Sequence, residues 1–210
     1  MGISRFITRA LIQGPVLPAM AILGGLLGLD RLVDRSSRRV RRGQARRLTP
    51  PEILEAERVF GNAIPYEDVR VVESSGLAKS IAALSNRVHL QQQGNLAVTV
   101  FNTIHFSTEL ETDLGDMPWL IHELTHVWQY CHRGPRYLTD ALQAQSQLGD
   151  GAYDIRQGMA EGWPWERFNP EQQGDIARDY YRALVARRDA SALQVYEPYL
   201  KVLRSRAVER

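Results

Sequence analysis

The sequence predicts an α+β fold: a small mixed sheet packed on one central helix, followed by a mainly helical C-terminal half. Three observations lead there. Short β-branched and aromatic runs, Asp68–Val72, Leu96–Phe101 and Thr103–Phe106, fall close together in the first half and alternate apolar with polar residues. The stretch Pro118–His132 is apolar nearly all round through Trp119, Leu120, Ile121, Leu124, Val127 and Trp128, as in a helix buried on several sides. Beyond residue 139 the apolar spacing is helical, with Ile176, Tyr180 and Leu184 on one face of a helix expected from Pro170 to about Arg188. At 210 residues the chain suits one domain with a substantial core.

Taken in order, the chain divides into an apolar segment with an Arg-rich linker (1–47) and the domain proper (48–210). Arg5 and Arg9 precede the apolar run Gly14–Leu29, which is shorter than the roughly 20 residues a membrane-spanning helix needs. Three readings of it stand: an export signal, a membrane-associating anchor, or a segment that packs on the protein or a partner. They make the chain exported or membrane-associated, and otherwise cytoplasmic. Eight arginines fall from Arg31 to Arg47, although the formal net charge of the whole is only +2. Such a like-charge block is most simply a linker. With no aromatic residue interleaved it offers bases no stacking platform, which argues against nucleic-acid binding. The lone cysteine, Cys131, excludes an internal disulfide framework.

From Leu48 the signals become regular. Thr49-Pro50-Pro51-Glu52 fits a capping box that starts a helix running to Phe60, ended by Gly61. Asp68–Val72 reads as a strand, and Leu77–Leu84 as a small-residue helix. Arg87–Leu90 and Leu96–Phe101 read as paired strands about Gly94-Asn95, with Thr103–Phe106 a further strand or a continuation. His89 and His105 alternate with apolar residues there and are read as structural. After the central helix, closed by Gly134-Pro135, come a helix over 139–147, a loop over 148–152, an irregular aromatic segment around Trp163 and Trp165, and a last helix from Leu193 to Arg206.

The central helix carries His122-Glu123-Leu-Thr-His126. Positions four apart share a helix face, so both imidazoles reach one ion. Glu123 is offset by about 100°, which puts its carboxylate beside that ion as a general base for a water. Ionisable groups in so apolar a helix are costly unless paired or bound to metal. The pattern is that of a zinc hydrolase, and zinc is the expected cofactor. A third ligand is required. Glu171 is the best candidate, with Asp175 one turn on to accept the free ring N–H of a histidine, on a helix capped by Asn169 with Pro170 in its first turn. A solvated acidic helix start is the competing reading, and Glu161, His132 and Glu166 are rival ligands. Tyr153, Tyr180 and Tyr181 are candidates to stabilise an oxyanion.

Five landmarks together resemble one family: Arg47-Leu-Thr-Pro-Pro-Glu52, Val59-Phe-Gly61, Asp68-Val-Arg-Val71, Asn102-Thr-Ile-His-Phe106 and Leu120-Ile-His-Glu-Leu-Thr-His-Val-Trp-Gln129. They are similar to the metallopeptidase-type core domain of extracellular contractile injection systems, found also in Vgr-related proteins. The resemblance covers about residues 46–130, and more loosely reaches 185. It implies a zincin-like fold and an association with injection or secretion systems. Separately, Glu171-x-x-x-Asp175 resembles the second motif of the gluzincins. It departs from that motif in Pro170 and in the long stretch separating it from His126. The function expected is zinc-dependent hydrolysis of peptide bonds in a peptide or protein substrate, with secretion-apparatus proteins as partners. The alternative is a catalytically silent zincin scaffold serving such a system as a structural or adaptor part.

Overall fold

Residues 45–79, 96–111, 114–134, 136–187 and 190–205 are described by the structure, a computed structural model. The first helix, α1 (Pro50–Phe60), begins as its sequence dictates. The Thr49 hydroxyl accepts from Glu52 N, and the Glu52 carboxylate returns the bond to Thr49 N at 2.7 Å. The same carboxylate is held by Arg46 through two bonds of 2.8 Å, while Arg46 Nε reaches Glu73 at 2.7 Å. Main-chain bonds of 2.9 Å in both directions tie Arg46 to Val71. The end of the Arg-rich stretch is therefore pinned to the fold.

The sheet has three strands among the described residues, in the order β1-β3-β2. β1 (Arg70–Val72) runs parallel to β3 (Thr103–Phe106), and β2 (Ala97–Val100) runs antiparallel to β3 on its other side. The β2–β3 hairpin turns at Phe101-Asn102, where Phe101 takes a φ of 57°. Among the described residues Leu96–Phe101 thus pairs downstream, with β3. The expected partner Arg87–Leu90 and most of the helix expected over Leu77–Leu84 lie outside the described residues; 76–79 are helical.

α2 (Met117–Arg133) is the helix of the His-Glu-x-x-His pattern, and every residue from Leu120 to Gln129 is buried in it. Its apolar faces meet α1, the sheet and α5. Leu120, Ile121, Leu124 and Trp128 join Phe60, Ile104, Phe106, Ile176 and Leu203 in one core. Trp119 meets Phe106 edge-on at 4.5 Å, and Trp128 Nε1 donates to Leu203 O at 2.9 Å. That bond satisfies the indole's polar end, as a buried Trp requires.

α3 (Arg136–Leu148) exceeds its expected span of 139–147, and the expected loop is a 3₁₀ turn, Gly149–Tyr153. The aromatic segment contains a short helix, α4 (Arg156–Glu161), and a 3₁₀ turn, Trp165–Arg167. α5 (Pro170–Val185) stops at the Ala186 cap, short of Arg188. The single last helix is in fact two, α6 (Ala190–Gln194) and α7 (Glu197–Ser205). Pro198 is the reason: it has no N–H to donate to Gln194 O and its ring would clash with that carbonyl, so α6 cannot run on through it, whereas the first turn of α7 has no need of that N–H. No helix among the described residues is long and apolar enough to cross a membrane, and 14–29 lie outside them.

Candidate metal centre

Two helices build the site. α2 supplies His122 and His126 from adjacent turns, their rings 5.1 Å apart and close to perpendicular. α5 supplies Glu171 from its first turn. That turn is fixed by Asn169, whose side-chain oxygen accepts from Glu171 N at 2.9 Å and Gln172 N at 3.0 Å, while Gln172 Oε1 accepts from Asn169 N. Pro170 sits where a helix has no use for an N–H. The departure from the gluzincin pattern therefore leaves the helix start intact. Asn169 Nδ2 also donates to Ala152 O, and Gln172 Nε2 to Asp154 O, anchoring α5 to the 3₁₀ turn before it.

Close approach of the two helices depends on Gly174. A Cβ at that position would lie 2.7–2.9 Å from three atoms of the His122 ring, well inside ordinary carbon contact of about 3.5–4.0 Å. With no side chain there, Glu171 Oε2 comes to 3.2 Å from His122 Nε2 and 3.6 Å from His126 Nε2.

The hydrogen-bond partners settle which ring nitrogens are free. Asp175 Oδ1, held also by Arg178 at 2.6 Å, lies 2.8 Å from His122 Nδ1. A carboxylate in an ion pair only accepts, so His122 Nδ1 carries the proton. His126 Nδ1 lies 2.9 Å from Gln129 Oε1 and likewise donates. Both Nε2 lone pairs then face the Glu171 carboxylate, an arrangement that repels unless a cation lies between them. One donor atom from each of His122, His126 and Glu171 falls within 4.8 Å of the others. Tetrahedral donors about 2.0–2.1 Å from one ion stand about 3.3–3.4 Å apart, close to the two Glu171 separations. The three residues present could hold a metal ion.

Without a metal, the cluster attracts protons in its place. Burial disfavours imidazolium, but the hydrogen bond to Asp175 and the carboxylate of Glu171 outweigh it and hold the pKa of His122 up at about 10. His126 is raised in the same way, burial opposing and Glu171 prevailing. Burial alone would raise Glu171, yet the two histidines hold it well below the usual carboxylate range.

Glu123 stands beside this cluster. Its Oε2 accepts from the buried Thr99 hydroxyl of β2 at 2.7 Å, which fixes the carboxylate from the sheet side. Tyr137 of α3 donates to Thr99 O at 2.8 Å, accepts from Phe101 N at 3.2 Å, and stacks its ring 6.1 Å from that of His126. Residues 99 and 101 point their main-chain groups away from β3, so the Tyr137 hydroxyl occupies the slot where another strand would pair.

The structure brings together His122, Glu123, His126, Glu171 and Asp175. Tyr153 joins them at the rim, its ring 6.2 Å from His122. Tyr180 does not. Nine residues past Glu171 it lies half a turn round α5, and it packs against Tyr196 at 5.9 Å. Tyr181 donates to Glu55. Among the rival ligands, Glu161 is exposed and bound to Gln157 and Trp163, Glu166 is exposed, and His132 stacks on Trp128. Sequence reasoning missed Thr99, Gln129, Tyr137, Gln173 and Gly174. Only the polar Gln129 and Gln173 within apolar helix faces signalled themselves.

No family model matches, and no solved structure does. A curated relative, the type VI secretion system spike protein VgrG2b of Pseudomonas aeruginosa, is 34% identical over an alignment of 170 positions that covers 74% of this chain and 15% of that protein. The chain thus spans a small fraction of the relative it matches, and the name of that relative speaks of a spike and of no enzyme. The Vgr-related part of the resemblance is met: this chain is a partial homologue of a type VI secretion system VgrG spike protein.

Proposed function

We propose that the chain is a zinc-dependent metallopeptidase domain that acts in company with a type VI secretion spike. One observation carries the reading: two helices converge three buried donor groups, His122, His126 and Glu171, with a fourth ionisable group, the carboxylate of Glu123, held beside them by Thr99 instead of among them. Zinc bound there would supply a Lewis acid and bring the pKa of a water towards neutrality. Glu123 would take the proton of that water on a carboxylate oxygen and pass it to the leaving amine. Thr99 holds the Glu123 carboxylate at Oε2, and Asp175 and Gln129 keep both Nδ1 protons in place so that each Nε2 keeps a free lone pair for a metal. Tyr153, its ring 6.2 Å from that of His122, would be the tyrosine to steady an oxyanion. The spike association rests on the similarity to VgrG2b.

Metal analysis of the purified chain with the variants His126→Ala, Glu171→Ala and Glu123→Gln tests the reading. We expect zinc to be lost in the first two and kept in the third, with peptide hydrolysis abolished in all three. Hydrolysis retained by Glu123→Gln would remove the assigned base, and zinc kept by Glu171→Ala would reassign the third ligand.

A second reading, a silent scaffold whose zinc only stabilises the fold, is favoured by a specific feature. The four site residues are only 4–6% exposed, and Tyr137 already fills the strand-edge slot beside Glu123. It predicts bound zinc, lower stability with chelator and no turnover of any peptide.

A further inference from the structure

The metal site ends in a chain of amides that no helix or sheet requires. Gln129 follows His126 by three positions on α2, and Gln173 follows Glu171 by two on α5; both are buried. Gln173 Nε2 donates to two main-chain oxygens of the aromatic segment, Trp165 O at 3.0 Å and Phe168 O at 3.1 Å. Reversing this amide would set its oxygen against two carbonyl oxygens, so its orientation is fixed. Gln173 Oε1 consequently faces α2 and accepts from Gln129 Nε2 at 2.9 Å, and Pro170 O accepts from the same nitrogen at 3.0 Å. That fixes the second amide too. Gln129 Oε1 can only face His126, where it accepts from Nδ1 at 2.9 Å.

We infer that Gln129 and Gln173 form a polarity relay which uses the main-chain carbonyls of Trp165, Phe168 and Pro170 to set the ring orientation of His126 and the nitrogen it presents to the metal. The inference rests on the metal-site reading given above. It assigns the two glutamines as positioning residues, acting through His126 and touching neither metal nor substrate. The two histidines are then oriented by different chemistry: His122 by the Arg178-paired carboxylate of Asp175, His126 by a relay of amides. A neutral acceptor beside the second histidine adds no further negative charge to a buried cluster that already holds Glu171, Glu123 and Asp175. The relay also makes the irregular segment between α4 and α5 part of the site, since its carbonyls set the direction of every bond in the series.

The test compares the full-length wild type with Gln129→Met and Gln173→Met, which keep side-chain length and remove the amide. Two readouts are independent of hydrolysis. The first is imidazole ¹H–¹⁵N NMR. The wild type should show a slowly exchanging His126 Nδ1 proton, since that proton is present in both the neutral ring and the imidazolium. It should be lost or fast in Gln129→Met, while the His122 Nδ1 proton is unchanged. The second is zinc affinity by chelator competition, which should fall 10–100-fold in Gln129→Met. The fall should be smaller in Gln173→Met, which leaves the Pro170 bond of Gln129 in place. A protected His126 Nδ1 proton and unchanged zinc affinity in a folded Gln129→Met variant would overturn the relay and leave the metal site standing. A wild type that binds no zinc yet shows the protected proton, lost in the variant, would overturn the metal reading and keep the relay. Should Gln129→Met fail to fold, Gln173→Met decides alone: no change in either readout refutes the relay.

Discussion

Gly174→Ala separates helix propensity from the demands of the site, because the two effects have opposite signs. In an exposed helix interior the change would stabilise by about 1 kcal/mol. Here the added Cβ would meet the Cε1, Nδ1 and Nε2 atoms of His122 at 2.7, 2.8 and 2.9 Å. Restoring ordinary contact at about 3.5–4.0 Å requires α5 to retreat, or the ring to tilt, by about 1 Å. Such crowding of a packed interior costs about 1–3 kcal/mol, so the metal-free protein should lose between about 0 and 2 kcal/mol. Metal binding should suffer more. Glu171 and Asp175 ride on the same helix, so the 2.8 Å bond from His122 Nδ1 and the 3.2 Å approach to Nε2 both lengthen. Metal–ligand distances tolerate errors of only about 0.2 Å, and a drop in zinc affinity of at least about tenfold is expected. Thermal melting of the metal-free chain and chelator competition of the loaded one are the two measurements. A variant that melts higher than the wild type and binds zinc equally well would refute the close-approach argument.

Other substitutions probe single links of the same structure. Thr99→Val removes the hydroxyl that steadies Glu123. It should lower kcat while leaving zinc content unchanged, and a fall in KM alone would count against its role. Tyr137→Phe strips the partner from Thr99 O and Phe101 N; we expect a loss of about 1–3 kcal/mol in denaturant unfolding, and unaltered stability would contradict the bonding described. The Glu52 carboxylate is lowered from its ordinary value because, although burial opposes it, Arg46 and the Thr49 cap prevail. Its folded pKa lies below its unfolded one, so its contribution is complete above the usual carboxylate range and disappears as the pH falls through the folded value. Glu52→Gln should therefore cost about 1 kcal/mol near neutrality and progressively less in acid; equal costs at both pH values would show that the charge is irrelevant.

Much of the site was legible because the chemistry lies in short, local patterns. His122, Glu123 and His126 belong to one helix whose flanks announce burial, and a spacing of four fixes their common face whatever surrounds them. Glu171 and Asp175 were readable for the same reason, with Asn169 and Pro170 marking where their helix begins. The pairing expected between Leu96–Phe101 and Arg87–Leu90 about Gly94-Asn95 falls on residues outside those described, whereas the turn into β3 at Phe101-Asn102, with a bulky residue at positive φ, carries no such local signal. The break between α6 and α7 was overlooked although Pro198 was in plain view. Tyr180 looked as eligible as Tyr153 until the turn of α5 carried it to the opposite face.

By itself, the sequence determined the helices that carry the candidate ligands, their starts and the residue types able to hold a metal, since capping, helical spacing and side-chain chemistry act over a few residues at a time. Only the tertiary structure decided that α2 and α5 meet closely at Gly174, that Thr99 grips Glu123 from the sheet, and that Trp165 and Phe168 orient His126 through two glutamines. Those contacts join residues remote in the chain, and the distances and bond directions that define them exist only once the core has closed around them.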